Sequence, residues 1–227
     1  VNKFDSFGNA IPGTVDTHFG SAGLQSVSFL AGVVILLGGI IGTLYGGRLA
    51  TRLARRTPNA RVVAGSLGFL LAAPFILLTL GAPFILPMLP FYADAALQTQ
   101  LYIGVGTFLV FGLASSILLN MYNGPLTAAL LDVLPPSERA AGGGTQLFLA
   151  HMIGDVFAAL EIGALSVFLT TQLGGEQIGL ALLLTVVPAS VIAGLIGIWG
   201  SRYYKRDVEQ QGTTVEAVLG TTVAAVK

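Results

Sequence analysis

Residues 24–48 read LQSVSFLAGVVILLGGIIGTLYGGR, an apolar run that meets no formal charge until Arg48. The hydrocarbon core of a bilayer takes about 20 apolar residues in a helix, so this stretch is long enough to cross it. The same feature repeats outward along the chain. No Asp, Glu, Lys or Arg falls between Arg61 and Asp94, between Asp94 and Asp132, between Arg139 and Asp155, or between Glu176 and Arg202. These intervals predict membrane-crossing helices at 24–48, 61–87, 99–133, 138–170 and 177–203. Backbone groups in hydrocarbon must be satisfied within the element, which leaves helices as the reading. The period-2 polarity of a membrane barrel is absent. The expected fold class is therefore an all-α polytopic membrane protein with about five transmembrane helices.

Composition agrees. Of 227 residues, 54% are hydrophobic and only 10% charged, against roughly 25% charged in a soluble domain. Mean hydropathy is +0.81. Thirty glycines suit helices that approach closely in lipid. A net charge of zero gives no electrostatic footprint for nucleic acid. The absence of cysteine excludes disulfides, thiol catalysis and Cys-type metal sites. No serine elbow, phosphate loop or His-Glu-x-x-His pair is present, so no cofactor or metal is expected and the chain is not read as an enzyme.

Basic residues set the orientation. Arg48, Arg52, Arg55, Arg56 and Arg61 lie between the first two spans, Arg139 lies between the third and fourth, and Arg202, Lys205 and Arg206 follow the fifth. The other two loops contain no Lys or Arg. The positive-inside rule puts the basic loops and the C-terminus in the cytoplasm. Residues 1–22 then form an extracytoplasmic segment, on the side of Asp94 and Glu176. Residues 23–203 form the helical bundle, and 204–227 a cytoplasmic tail of low order. A chain that begins outside with an odd number of spans is expected to be completed by preceding helices, on the same or a separate chain, the alternative being a short five-helix protein.

Ionisable groups inside a membrane cost about 2.5–3.5 kcal/mol to insert and mark functional positions. His151 and Asp155 are four apart in the fourth span and share a helical face. They lie roughly 18 and 24 Å above Arg139, and Asn123 lies roughly 14 Å above Asp132. Thr127 is one turn from Asn123. Either these four side chains line a central pathway, or His151 and Asp155 pair as glue between helices. As a lesser alternative, the same two groups could serve an intramembrane hydrolase. Glu161 is turned away from Asp155, and either takes part in transport or reaches water near the outer surface. Gly124-Pro125 predicts a kink in the third span, because proline removes one backbone hydrogen bond. Gly142-Gly143-Gly144 is read as a packing element. Asp132 and Arg139 flank the inner turn, where they either form a gate with Arg52, Arg55 or Arg56 or sit among headgroups.

Two stretches carry a family resemblance. Gly47-Arg48-Leu49-Ala50-Thr51-Arg52-Leu53-Ala54-Arg55-Arg56 resembles the cytoplasmic loop signature of the major facilitator superfamily. Thr51 stands where that signature has Asp, and Ala54 where it has a second Gly. The segment Tyr122-Asn123-Gly124-Pro125, then Pro135-Pro136-Ser137-Glu138-Arg139-Ala140, then His151-Met152-Ile153-Gly154-Asp155 is similar to the spinster-like family of that superfamily. Ala159 and Glu161 depart from its pattern, where Pro and an apolar residue are expected. The resemblance spans residues 24–203 and implies helices eight to twelve of twelve, that is, most of the second bundle. It further implies alternating-access transport of an amphiphilic solute such as a lysophospholipid and a bacterial inner membrane location; His151 or Asp155, as ionisable groups, would bind a cationic group or exchange a proton. A drug or metabolite antiporter of another major-facilitator family, and a non-transporting membrane subunit, are the alternatives.

Overall fold

The computed structural model describes residues 4–5, 9–10 and 20–225 except Arg56, Pro58 and Glu176, with side chains described over 29–211 other than those three and Leu97. A short antiparallel ladder pairs β1 (Phe4–Asp5) with β2 (Asn9–Ala10). The rest is helical: α1 (Gly20–Ala54), α2 (Ala60–Ile85), α3 (Pro90–Ala93), α4 (Leu97–Asn120), α5 (Asn123–Asp132), α6 (Arg139–Leu149), a π-helical turn (Ala150–Asp155), α7 (Val156–Leu173) and α8 (Ile178–Ala225). Five stretches are long and apolar enough to cross a membrane: Phe29–Ala54, Ala60–Met88, Gln98–Asp132, Arg139–Leu173 and Ile178–Gln211. They correspond to the five helices expected from the sequence.

Three features depart from a plain reading of five rods. The third span breaks between α4 and α5 at Met121-Tyr122, four residues before Pro125 and at its missing hydrogen bond. The Pro125 ring is fully buried, so the break is packed and not frayed. The fourth span contains a π turn. The fifth does not stop near 203: α8 continues through the tail expected to be of low order, to Ala225. Residues 202–211 are rich in helix formers and hold a Lys205–Glu209 pair at 3.7 Å, which favours continuation.

The scaffold is built on α2, which packs most extensively against α8 and α4, while α1 lies along α4 and α5. Its buried positions are dominated by alanine, among them Ala60, Ala64, Ala72, Ala73 and Ala82 of α2 and Ala181 of α8. Large apolar side chains such as Phe29, Ile35, Phe157 and Trp199 point outward. Small residues inside and large ones outside is what lipid, unlike water, permits. Close approach is visible at α1. A Cβ on Gly42 would collide with the Ile117 carbonyl oxygen, and one on Gly46 with that of Met121. At the opposite end of the bundle, Gln100 is buried and donates from Nε2 to the carbonyls of Tyr92 (2.8 Å), Ala93 (3.3 Å) and Ala95 (3.1 Å), closing the α3 turn. Burial raises the Tyr92 phenol above its ordinary pKa, so it stays neutral there.

Candidate functional site

The π turn sits where the sequence places its two intramembrane ionisable groups. His151 Nδ1 and Asp155 Oδ2 are 2.6 Å apart, and the two side chains are 64% and 73% exposed. A π turn widens the helix by an i→i+5 register and recurs at functional positions. Here it covers Ala150–Asp155, so both polar groups belong to it. With Nδ1 engaged by the carboxylate, Nε2 is the imidazole nitrogen left to face outward. None of the apolar window of this span is buried. The pair therefore stands on an open helix face. Glu161 is likewise exposed, on α7.

A second polar cluster lies at the break in the third span. Asn123 donates from Nδ2 to the Asn120 carbonyl and to Asn120 Oδ1, both at 3.3 Å. Asn120 in turn donates to the Ser116 carbonyl at 2.9 Å. Across the interface, Thr43 Oγ1 donates to the Asn120 carbonyl at 3.5 Å, and Ser116 Oγ to the Ile35 carbonyl at 3.2 Å. Tyr122, at the break itself, stacks on Phe69 of α2 with centroids 4.7 Å apart. Hydrogen bonds thus bind a broken helix to α1 at the point where its own ladder is interrupted. Thr127 is exposed one turn further on. Among the described residues, no hydrogen bond joins this cluster to His151 or Asp155. Asn120, Ser116 and Thr43 were not singled out from the sequence. Asn120 precedes Asn123 by three residues, which is the spacing that could have revealed it.

The basic end is arranged differently from expectation. Asp132 accepts from Arg61 and, at 2.6 Å, from the Tyr204 hydroxyl. Its partners are therefore not Arg52 or Arg55, which are exposed. Arg56 lies outside the described residues. The reason is position: Arg61 opens α2, beside the end of α5, whereas Arg52 sits in the last turn of α1 and Arg55 just past its end. The Asp132 cluster ties α2, α5 and α8 together at one end of the bundle. Arg139 is exposed and donates from Nε to the Leu134 carbonyl at 3.3 Å. Gly47 is where α1 and α5 nearly touch: a Cβ on Gly124 would sit 3.2 Å from the Gly47 Cα. Gly142 packs under Leu134, but Gly143 and Gly144 face open space, so only the first of the three is a packing residue here. No group of three or more His, Asp or Glu suited to a metal occurs among the described residues.

Comparison with known proteins shows what the chain as a whole is similar to. The chain is 32% identical over 174 residues to an MFS-type efflux pump of Mycolicibacterium smegmatis, covering 76% of this chain and 35% of that protein. It is 26% identical over 185 residues to protein spinster homolog 3 of Danio rerio, covering 79% and 34%. It is 25% identical over 178 residues to protein spinster homolog 1 of Xenopus laevis, covering 78% and 30%. The chain thus spans about a third of the length of the curated relatives it matches. No family model and no solved structure matches it.

Proposed function

The chain is related to the spinster-like proteins of the major facilitator superfamily, and from that premise we propose that it supplies helices eight to twelve of an alternating-access transporter for an amphiphilic solute. The observation that carries the proposal is the His151–Asp155 pair in a π turn, on a span with no apolar window buried in the bundle. An ionisable pair on an open face within a membrane is stable only against a polar cavity or a partner. In this reading the face looks into the transport pathway, closed on its other side by the helices that the relatives' remaining length would provide. Asn123 and Asn120 contribute amide groups to the pathway, with Thr127 and Glu161 nearer its ends. The Arg61–Asp132–Tyr204 cluster holds the inner end, in place of a gate formed by Arg52, Arg55 or Arg56.

The chemistry of the pair suits proton coupling. A proton on His151 makes the pair neutral overall as an imidazolium–carboxylate couple, and its loss leaves one negative charge. Binding of an amphiphile's cationic group beside Asp155 competes with that proton. Alternation of the two occupants on one site gives exchange. A lysophospholipid is the solute we favour, and a bacterial inner membrane the location. The similarity to a protein named as an efflux pump favours a second reading, in which the solute is a drug-like amphiphile.

The test is uptake of fluorescent lysophospholipid by proteoliposomes under an imposed pH gradient, with this chain alone and together with a first-half partner. Gradient-driven uptake that needs the partner and disappears in Asp155→Asn supports the proposal. Uptake of cationic dyes in place of the lipid favours the second reading. Uptake unchanged by both His151→Gln and Asp155→Asn removes the pair from the pathway.

A further inference from the structure

On α1 a single i±4 ridge runs Leu36, Ile40, Leu44, Arg48, Arg52. Leu36, Ile40 and Leu44 are 62%, 50% and 55% exposed, and with Ile35, Gly39 and Thr43 they line an open apolar groove of about 600 Å³. From Leu36 to Arg52 the ridge rises about 24 Å. That is close to one leaflet with its headgroups, about 20–22 Å. The groove spans only the apolar part of this ridge, and the ridge turns basic beyond it, at Arg48 and Arg52.

Among the described residues, the basic end lacks counter-charge. Arg48 and Arg52 stand at i and i+4 and share one face of the last two turns of α1, and Arg55 follows directly after the helix ends at Ala54. All three are exposed, and none has a hydrogen-bonding or ionic partner among the described residues. No Asp or Glu occurs between Asp16 and Asp94. Thr51 turns its hydroxyl back to the Gly47 carbonyl at 2.8 Å. Asp132 is occupied by Arg61 and Tyr204, and Glu209 by Lys205. Neither Glu138 nor Asp207 forms an ion pair with these arginines. Guanidinium groups present planar forks that match phosphate oxygens in pairs, and their stems reach along apolar surface to place the charge at headgroup level.

We propose that α1 holds one anionic phospholipid of the surrounding bilayer, an acyl chain along Leu36, Ile40 and Leu44 and its phosphate between Arg48, Arg52 and Arg55. The site is distinct from the His151–Asp155 pair and does not depend on the transport reading. Its role is to supply counter-charge to the arginines at the end of the helix that abuts the broken third span, and so to hold α1 against Gly124 and Asn120.

The experiment uses the purified chain in nanodiscs of phosphatidylcholine with a minority of phosphatidylglycerol, each spin-labelled in turn. Both faces are accessible in a nanodisc, so insertion direction does not enter. The immobilised fraction is expected to favour phosphatidylglycerol, and Arg52→Gln to reduce that preference about fivefold, the factor equivalent to about 1 kcal/mol per basic residue at a membrane surface. The triple variant R48Q/R52Q/R55Q is expected to abolish it with the helical circular dichroism retained, and R202Q/R206Q to leave it in place. Should the triple variant not fold, the Arg52→Gln measurement carries the test alone. Full preference in Arg52→Gln, or an equal loss in R202Q/R206Q, overturns the site in favour of diffuse surface charge. Displacement of the bound lipid by inorganic phosphate assigns the arginines to a soluble phosphate. Displacement by lysophosphatidylglycerol in preference to the two-chain lipid assigns the groove to a transported solute.

Discussion

The span Ala60–Met88 and the span Arg139–Leu173 have comparable apolar character, with hydropathies of 2.3 and 1.8, yet 33% of the first span's window is buried and none of the second's. The first is the hub of the bundle, lined inward by alanine and glycine and crossed by α4, α8 and α1. The second lies at the edge, touching mainly α8, and carries the π turn with His151 and Asp155. Hydropathy alone does not separate scaffold from site. What separates them is the placement of small residues: in the hub Gly65 and Gly68 meet the backbone of the third span, while Gly143, Gly144, Gly154 and Gly163 of the edge span face open space. Packing without a hydrophobic drive between helices depends on such contacts. The hub is fixed by sterics, and the edge span is held by little within this chain.

The sharpest way to break the comparison is to enlarge one glycine in each region. Gly68→Leu drives a side chain into the Leu118 carbonyl at the α2–α4 crossing. It is expected to cost about 3 kcal/mol or more, at the upper end of overpacking, read as a lowered midpoint in detergent-mediated unfolding followed by circular dichroism. Gly154→Leu meets nothing within 4 Å and is expected to shift stability by at most about 0.5 kcal/mol. Equal costs at the two positions would show that the edge span is packed as tightly as the hub.

Much of this was legible beforehand, and the exceptions have physical causes. The spans follow from where charges are absent, because each charge in hydrocarbon is expensive. The break at Met121-Tyr122 follows from Pro125. Arg61, in contrast, was grouped with the loop arginines by its place in the sequence, whereas helix direction gives it alone to Asp132. Asn120 was passed over because a single amide in an apolar run carries little weight until its Asn123 partner is seen to bond it. The π turn left no mark, since residues 139–173 keep one continuous helical character and the register change lies in the backbone. The helical continuation past 203 was masked by the expectation that a polar tail after the last span is loose.

A middle-sized effect tests the cluster that fastens one end of the hub. Asp132 receives both Arg61 and Tyr204 while about a third exposed, so its ion pair is partly screened by solvent. Asp132→Asn is expected to cost about 1–2 kcal/mol, mostly from charge-assisted hydrogen bonds lost to two donors. Tyr204→Phe should cost less, about 1 kcal/mol. In a double-mutant cycle the two changes should couple, because both act on one carboxylate oxygen. Additive costs would mean that the hydroxyl contact does no more than accompany the ion pair.

The smallest expected effect on stability is at the pair itself. His151 and Asp155 are bonded to each other at 2.6 Å but mostly exposed, so removing the carboxylate leaves no buried partner unsatisfied within this chain. Asp155→Asn is therefore expected to change the unfolding midpoint by at most about 0.5 kcal/mol, the range of exposed i, i+4 pairs. If the same substitution abolishes gradient-driven uptake, function and stability part company at one residue, as they do where a polar group is kept for what it meets outside its own helix. If instead it destabilises the isolated chain by several kcal/mol, the pair is glue, and the open face of the fourth span is a packing surface and not the wall of a pathway.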